Sequence, residues 1–396
     1  MTDFKVLVIG RGMMGAAAAK YLAREIDGVG VIGPDEPADK RSHDGVFASH
    51  YDEGRITRTI DPNPVWARLA NRSIARYRDI EAESGIGFFS EVGCLVAGAA
   101  RASGDDYIAN VLSAAGSLDV ETMLLDDGGL KERFPFFSVE AGSEGVFEPA
   151  GAGHISPRRL VAAQSRLAEK AGARLIRETA VRLLPGADGI EVMTAEGERY
   201  TAEKVLAAAG GFTIADSLLP QPVDLTVYAR TIVFMEVDAA EAARLAAMPS
   251  LITAPHDPQD AIYMLPPIRY PDGRFYLKIG GDPHDLQLKS EAELRDWFRG
   301  EGRESARTHL LRVAKELLNG VSIRSVSTGS CVTSFTPTGL PAIGFSASPR
   351  IALVTGGCGA AAKSSDEIGR LGAETILQGG VADAAYAGVD FSPRFR

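Results

Sequence analysis

A cysteine and a lysine in the C-terminal part of the chain have the types and setting of chemically active residues. Cys331 precedes a Thr-Pro-x-Gly-x-Pro turn, and Lys363 follows a glycine-rich stretch at the point where a helix is predicted to begin. A cysteine thiolate is a nucleophile that can bond covalently to a bound group, whereas many cysteines only fill small gaps in a core. The segment therefore indicates chemistry without defining it.

The N-terminal part of the chain contains a dinucleotide-binding fingerprint. A buried strand predicted for residues 4–9 leads directly into GRGMMG at residues 10–15, and an alanine-rich helix follows. In this G-x-G-x-x-G pattern, Gly10 makes the tight turn, Gly12 lets a pyrophosphate approach the backbone, and Gly15 lets the helix pack on the strand. The N-terminus of the helix would bind the phosphates.

The fingerprint does not distinguish NAD, NADP and FAD, and the acidic residue that usually binds the ribose is displaced. The second strand, predicted for residues 29–32, is followed by Gly33 instead of Asp or Glu. Asp35 and Glu36 come next, and Asp35 is our candidate for the ribose contact. The choice of cofactor therefore depends on the rest of the chain.

Bulk composition excludes several classes of function. The 396 residues are enough for two domains, and the net charge of −10 disfavours a nucleic-acid partner. Three widely spaced cysteines argue against a disulfide framework, and no Cys/His cluster indicates a metal site. Because the sequence shows neither a signal region nor a long apolar span, we expect a cytoplasmic protein with no membrane partner.

The strand, glycine turn and helix pattern recurs at three separated places along the chain, with strands of a separate sheet between them. One contiguous nucleotide-binding domain would not show this arrangement. It predicts a mixed α/β protein in which a discontinuous Rossmann-like FAD-binding domain carries an inserted antiparallel-sheet substrate domain. The predicted ranges are residues 1–84, 150–225 and 320–385 for the FAD-binding domain, and 85–149 and 226–319 for the substrate domain.

Taken in order, these motifs resemble the DAO family of FAD-dependent amino-acid oxidases, in the branch that contains the sarcosine and N-methyltryptophan oxidases. The resemblance covers nearly the whole chain, because several motifs occur at matching spacing. The motifs that carry it are GRGMMG at 10–15, SHYDEGRITR at 49–58, residues 154–212, YLKIGG at 276–281, and the Cys331–Lys363 segment.

The resemblance implies FAD as the cofactor and gives roles to five residues. Cys331 would form a thioether to the 8α-methyl group of the flavin. Arg58 and Lys363 would bind the substrate carboxylate, since a planar guanidinium grips a carboxylate bidentately and lysine adds a point charge. Lys278 would lie over the flavin ring and promote the reaction with oxygen, and Tyr263 would retain an active-site tyrosine.

The predicted site consists of a catalytic set and a cofactor-binding set. The catalytic set is Lys278, Arg58, Lys363, Tyr263 and Asp282. The cofactor-binding set is Gly10, Gly12, Gly15, Asp35, Ser49, Arg55, Val181, Gly210, Cys331, Gly356, Gly357, Gly359 and Lys363. No residue is assigned to a metal.

Three positions depart from the family pattern. Thr333 stands where the family has a tyrosine, and Asp282 and Ala360 stand where it has histidines. Asp282 would tolerate or attract a second positive charge. The departures surround the amine end of the pocket, so we expect a larger or more polar N-substituted amino acid as the substrate.

The expected reaction is oxidation of the C–N bond of a secondary or primary amino acid to an imine that hydrolyses, with O2 reduced to H2O2. The alternatives are a flavin-dependent dehydrogenase that passes electrons to a quinone or carrier protein, an RNA-modifying flavoprotein, which the acidic charge disfavours, and a nicotinamide dehydrogenase. The expected partners are a small amine or amino acid and O2, and the expected state is a monomer or small homo-oligomer.

Overall fold

The computed structural model describes residues 2–396, and these fold into 20 strands and ten α-helices. The strands are β1 (Phe4–Ile9), β2 (Val29–Ile32), β3 (Arg55–Thr57), β4 (Phe89–Ser90), β5 (Cys94–Ala99), β6 (Met123–Leu125), β7 (Ser143–Glu148), β8 (Gly153–Ile155), β9 (Arg174–Ile176), β10 (Ala180–Pro185), β11 (Ile190–Thr194), β12 (Arg199–Ala207), β13 (Thr226–Val237), β14 (Ser250–Ala254), β15 (Tyr263–Arg269), β16 (Phe275–Gly280), β17 (Leu286–Leu288), β18 (Ser325–Phe335), β19 (Ala342–Phe345) and β20 (Ile351–Thr355). The helices are α1 (Met13–Glu25), α2 (Pro64–Ile74), α3 (Tyr77–Ser84), α4 (Tyr107–Gly116), α5 (Asp127–Arg133), α6 (Pro157–Lys170), α7 (Ala239–Arg244), α8 (Glu291–Arg299), α9 (Glu304–Leu317) and α10 (Ala361–Gln378).

The first sheet has eight strands and a parallel centre. Strands β9, β2, β1, β12 and β20 lie side by side in parallel, and β10, β11 and β19 extend the sheet with antiparallel pairs. The central strands are almost wholly apolar and buried, as in β1, because parallel strands are covered on both faces. Since these strands come from three separated parts of the chain, the predicted Rossmann-like α/β fold is confirmed.

Helices α1 and α10 pack closely against each other beside this sheet. A Cβ atom added at Gly369 of α10 would lie 2.4 Å from Cβ of Ala17 and 2.7 Å from the carbonyl oxygen of Met14. The alanines of α1 and the glycine of α10 thus have the same structural effect. Because these residues are small, the two helix backbones can approach each other closely. The contact joins the first turns of α1 to the middle of α10.

The second sheet has nine strands in the order β17-β13-β16-β15-β14-β5-β7-β6, with β18 paired to β13. All its pairs are antiparallel except that of β14 with β5. Strand β18 pairs along β13 from Thr226 to Glu236. Backbone hydrogen bonds thus hold β18 in the second sheet, although the predicted ranges place residues 320–385 in the FAD-binding domain, and those ranges stay a prediction.

A third sheet has three short strands in the order β3-β8-β4. Arg55 of β3 pairs with Ile155 of β8, and Thr57 pairs with Gly153. This pairing fixes the segment that leads to Arg58. Among residues 2–396, no helix has both the length and the apolar character needed to cross a bilayer, and no cluster of three or more His, Cys, Asp or Glu side chains could hold a metal ion.

Candidate active site

A cavity of about 550 Å³ extends from the glycine turn after β1 to the second sheet. Its walls come from that turn, from the segment before β3, from strands β13, β15 and β18, and from the turn between β20 and α10. Most of the residues predicted for the site line it: Gly10, Gly12, Ser49, Arg55, Arg58, Val181, Gly210, Tyr263, Asp282, Cys331, Gly356, Gly357, Gly359 and Lys363. Gly15, Asp35 and Lys278 do not.

The turn between β1 and α1 forms a cradle that only glycine allows. Gly10 has a φ of 100°, and a Cβ atom there would lie 2.4 Å from the carbonyl oxygen of Ala208. A Cβ atom at Gly15 would lie 1.8 Å from the carbonyl oxygen of Gly10. No atom lies within 4 Å of the corresponding point at Gly12. Since α1 has no side-chain cap, its first N–H groups are available to a phosphate.

The predicted ribose-binding acid lies outside the cavity wall. The carboxylate of Asp35 is bound by Arg11 and, at 3.0 Å, by Arg177, and 58% of its side chain is exposed. Arg11 also donates to the carbonyl oxygen of Pro34 at 3.3 Å, while its Nε is buried without a hydrogen-bond partner. Asp35 is therefore linked to the site indirectly, through its ion pair with Arg11, which lines the cavity.

Cys331 is the cysteine that lines the cavity, and Arg55 lies beside it. A terminal nitrogen of Arg55 lies 3.6 Å from Sγ of Cys331 and also donates to the carbonyl oxygen of Ser49 at 2.9 Å. By contrast, Cys94 is buried in the core, and burial raises the pKa of its thiol to about 12. Cys358 is partly exposed but does not line the cavity. The setting of Cys331 is thus electropositive and open to a ligand.

Arg58 and Lys363 meet in the cavity although they are far apart in the sequence. Both line it, with 9% and 3% of each residue exposed. Behind them, Oδ2 of Asp61 accepts a hydrogen bond from Nζ of Lys363 at 2.6 Å and one from Arg58 at 3.3 Å. Burial and the charge of Arg58 lower the pKa of Lys363 to about 8. Although burial opposes ionisation of Asp61, the charges of Lys363 and Arg58 lower its pKa to about 2.

Lys278 is a second buried cation and lies just outside the cavity wall. Only 1% of the residue is exposed. Its Nζ donates to the carboxylate of Asp52 and, at 2.8 Å, to the carbonyl oxygen of Gly54. Arg55 pairs with the same carboxylate, and Tyr270 donates to it at 2.8 Å. The carboxylate of Asp52 therefore pairs with both Lys278 and Arg55 at this end of the site.

Tyr263 projects from β15 and packs on a glycine of β16. A Cβ atom added at Gly280 would lie 2.4 Å from Cζ of Tyr263, so the absence of a side chain there makes room for the ring. Burial raises the pKa of Tyr263 to about 12, and the phenol stays protonated at neutral pH. On β18, Thr333 lines the cavity and its buried Oγ1 has no hydrogen-bond partner.

Asp282 lines the cavity, but its charge is already neutralised. Its carboxylate accepts hydrogen bonds from Arg303, from the backbone N–H of Thr231 at 3.1 Å, and from that of His284 at 3.2 Å. Arg303 thus supplies a positive charge to this carboxylate from within the chain, and the expectation that Asp282 tolerates or attracts a second positive charge on the substrate stays a prediction.

Sequence reasoning missed the acidic residues that organise the cations. Asp52 and Asp61 pair with lysines 226 and 302 positions away, and no local pattern encodes such contacts. Glu148 was missed as well: its carboxylate accepts the backbone N–H groups of Thr59 and Ile60 at 2.8 and 3.0 Å. His50 also lines the cavity, and burial lowers its pKa to about 3.

These residues fit an FAD molecule. The open space in front of Gly12 matches a pyrophosphate, and α10, whose N-terminus also faces the cavity, has no side-chain cap. Buried polar atoms without partners occur along the lining, at Nε of Arg11, Nδ1 of His50 and Oγ1 of Thr333. Such atoms are expected where a polar ligand supplies the missing partner.

Comparison with known proteins identifies relatives along most of the chain. Residues 5–375 match the family model DAO, described as FAD dependent oxidoreductase. A monomeric sarcosine oxidase from Bacillus sp. (strain B-0618) is 28% identical over 246 residues, which cover 61% of this chain and 60% of that enzyme. An N-methyl-L-tryptophan oxidase from Yersinia pestis (strain Pestoides F) is 26% identical over 220 residues, which cover 55% of this chain and 56% of that enzyme.

Solved structures share the fold over the whole chain. NikD, an unusual amino acid oxidase essential for nikkomycin biosynthesis, superposes with a TM-score of 0.75 at 22% identity, covering 100% of this chain and 98% of that one. Iminodiacetate oxidase from Chelativorans sp. BNC1 gives a TM-score of 0.70 at 20% identity, covering 98% and 99%. At these identities the likeness concerns the fold.

Proposed function

Because the chain belongs to the DAO family of FAD-dependent oxidoreductases, we propose that it oxidises the C–N bond of a secondary or primary amino acid and reduces O2 to H2O2. The observation that carries this proposal is that Arg58 and Lys363 line the same cavity as the dinucleotide fingerprint. The names of the sarcosine and N-methyl-L-tryptophan oxidases, relatives over part of the chain, support an N-methyl or other N-substituted amino acid as the substrate.

FAD, held at the glycine turn after β1, would supply the redox chemistry, a two-electron oxidation of the C–N bond with O2 as the electron acceptor. The chain binds the substrate carboxylate through Arg58 and Lys363 and so holds the C–N bond in one orientation. Overall, the substrate loses two electrons and two protons to become an imine, and O2 gains them to become H2O2. Water then hydrolyses the imine to a carbonyl compound and an amine.

We assign the positive charge of the oxygen step to the pair of Lys278 and Arg55. Both cations share the single carboxylate of Asp52, so the group has a net positive charge while Lys278 is protonated, and burial and the charge of Arg55 lower the pKa of Lys278. A fixed positive charge in a buried site stabilises negative charge that develops when oxygen is reduced. Lys278 lies outside the lining of the cavity, and its effect is therefore electrostatic and not a direct contact with substrate.

We assign the covalent attachment of FAD to Cys331, because it is the cysteine in the cavity and has Arg55 beside it. Thr333 and Ala360, which are smaller than the residues of the family pattern, both line the cavity. They leave room around the substrate nitrogen. We therefore propose an N-substituent larger than methyl, or a cyclic amino acid, as the preferred substrate.

The test is a screen of N-methyl, N-alkyl, cyclic and primary amino acids with the purified yellow protein. In air, the expected result is one H2O2 for each molecule of substrate consumed. The same substrates are assayed without oxygen in the presence of a quinone. Turnover that occurs with the quinone and yields no H2O2 in air would identify a dehydrogenase and overturn the oxidase proposal.

A further inference from the structure

Asp61 has a place in the site that no sequence motif indicated. It does not line the cavity, yet one oxygen of its carboxylate binds both of the cations that do, Lys363 and Arg58. Its side chain is 9% exposed. The carboxylate therefore lies behind the two cations, on the side away from a ligand, and can stay in place when a ligand carboxylate enters.

The position of Asp61 is fixed from two sides. Its second oxygen accepts the backbone N–H of Asn63 at 3.0 Å, and the side chain of Asn63 caps α2. On the other side, Glu148 holds the backbone N–H groups of Thr59 and Ile60. A carboxylate held in this way cannot leave to make room for the substrate. It acts as a permanent counter-ion.

The two cations still have donors to offer. Nε of Arg58 is buried and has no hydrogen-bond partner. Within residues 2–396, Nζ of Lys363 donates only to Asp61, whereas an ammonium group has three N–H donors. These remaining donors belong to residues that line the cavity, so a ligand carboxylate can bind them while Asp61 remains bound.

From this arrangement we propose that Asp61 is a positioning residue that aims Lys363 and Arg58 into the cavity and keeps Lys363 charged for binding of the substrate carboxylate. The proposal rests on the function proposed above. It also explains why two cations can stay close together in a buried site before the substrate arrives. Without Asp61 they would repel each other, and the lysine would lose its proton more readily.

The groups that face Lys363 leave it as the residue that titrates near neutral pH. They are Arg58, Asp61, Glu148 and Cys94, and Tyr107 lies next to Arg58. Arg58 keeps its charge, and burial raises the pKa of Cys94 to about 12 and also that of Tyr107. Burial raises the pKa of Glu148 as well, so the Lys363→Arg variant decides whether a change in carboxylate binding between about pH 6 and pH 9 reports Lys363.

The experiment titrates the holoenzyme with a small carboxylic acid that has no amine, using the change in flavin absorbance to obtain Kd between pH 6 and pH 9. In the unaltered enzyme, Kd is expected to rise above about pH 8, by up to tenfold for each pH unit, as Lys363 loses its proton. In Asp61→Asn the rise begins about one to three pH units lower, because an attractive anion is gone.

Three controls separate charge from packing. Asp61→Glu keeps the negative charge, and we expect Kd in this variant to rise above about pH 8, as in the unaltered enzyme. Lys363→Arg removes the titrating group and should give a flat Kd over this range. Asp44→Asn, which removes a carboxylate that is 93% exposed, should match the unaltered enzyme. Equal shifts in Asp61→Asn and Asp61→Glu, or no shift in Asp61→Asn, would overturn the role of Asp61.

The outcomes also distinguish this proposal from the proposed function. If the acid does not bind to the unaltered enzyme, or if Kd is independent of pH there, the assignment of Lys363 to the substrate carboxylate fails. If Asp61→Asn gives no holoenzyme, calorimetry of the unaltered enzyme decides: binding at pH 9 should take up about one proton and binding at pH 6.5 none. Absence of proton uptake at pH 9 would refute the proposal that the ammonium group of Lys363 binds both Asp61 and the ligand carboxylate.

Discussion

At the scale of single residues, two aspartates organise the charge of the site. Asp52 binds Lys278 and Arg55, and Asp61 binds Lys363 and Arg58. In both groups one carboxylate serves two cations, and each group lies beside the cavity. A buried cation without such a partner would be costly. The aspartates thus make it possible to keep two separate positive centres next to one cofactor site.

Replacement of Lys278 tests the oxygen side of the site. In Lys278→Met we expect the second-order rate constant for reaction of the reduced enzyme with O2 to fall about 100-fold, because a preorganised charge is lost. Folding should survive, since Asp52 keeps its pair with Arg55. Stopped-flow reoxidation measures the effect. Lys289→Met, at an exposed position, is the control, and equal rates in the two variants would contradict the assignment.

Replacement of Cys331 tests the covalent attachment of FAD. After acid precipitation of Cys331→Ser, we expect the yellow colour in the supernatant, because a serine hydroxyl is a far weaker nucleophile than a thiolate. The colour should stay in the pellet for the unaltered enzyme and for Cys358→Ser, whose cysteine lies outside the cavity lining. Colour that remains in the pellet with Cys331→Ser would exclude this residue as the attachment point.

The sequence predicts the charged residues of the site better than their partners. Arg58, Lys363 and Cys331 lie in motifs of known spacing, and the structure brings them to one cavity. Asp282 shows the limit of this prediction. The sequence shows that an aspartate stands where the family has a histidine, but it does not show that this aspartate pairs with Arg303. Which carboxylate neutralises which cation depends on tertiary contacts, and local periodicity contains no information about them.

At the scale of elements, a break between α2 and α3 directs the side chain of Arg76 toward α10. The pattern of apolar residues predicts one helix from residue 63 to about residue 83, but the structure has two, separated at Ala75 and Arg76. Neither glycine nor proline marks the break, and sequence reasoning therefore missed it. It turns Arg76 toward Asp366 of α10, whose carboxylate it binds at 2.7 Å.

The close contact between α1 and α10 predicts that a single methyl group added at this contact destabilises the protein. In Gly369→Ala the added Cβ meets Ala17 and the carbonyl oxygen of Met14, and such overpacking is expected to lower the free energy of unfolding by about 1–3 kcal/mol. Urea denaturation of the holoenzyme measures this. The matched control is Gly116→Ala in α4, where no atom lies within 4 Å. Equal stability of both variants would contradict the close contact.

At the scale of the whole molecule, one hydrophobic cluster joins the two large sheets. It contains Val205 and Leu353 of the first sheet, Val227 and Val332 of the second, and Phe298 of α8. The cavity lies between the same sheets and is open to both. The cofactor site is therefore a property of the assembled molecule, and neither sheet provides it alone.

A buried ionic network connects the helices beside the first sheet. Asp366 of α10 is fully buried and accepts hydrogen bonds from Lys20 of α1, from Arg76 at the N-terminal boundary of α3 and, at 3.1 Å, from Gln164 of α6. Burial opposes its ionisation, but Lys20 and Arg76 hold its pKa below the usual value. Four helices thus meet at one carboxylate.

Removal of that carboxylate should destabilise the whole fold. In Asp366→Asn the buried ammonium of Lys20 loses its counter-ion, and we expect the free energy of unfolding to fall by about 3–5 kcal/mol. Denaturation of the holoenzyme in urea measures the loss. The comparison is Asp390→Asn, which breaks an exposed pair with Arg394 and should change little. A loss no larger than in this control would show that the network does not contribute to stability.

The strand order has a consequence for protein synthesis. Strand β1 begins at Phe4 and β20 ends at Thr355, yet both flank β12 in the same sheet. A chain still on the ribosome cannot complete that sheet until β20 has left the exit tunnel. Because Lys363 is made later still, FAD capture is expected only after the segment that contains this residue has left the exit tunnel. Nascent chains stalled before residue 351 are therefore expected to carry no flavin.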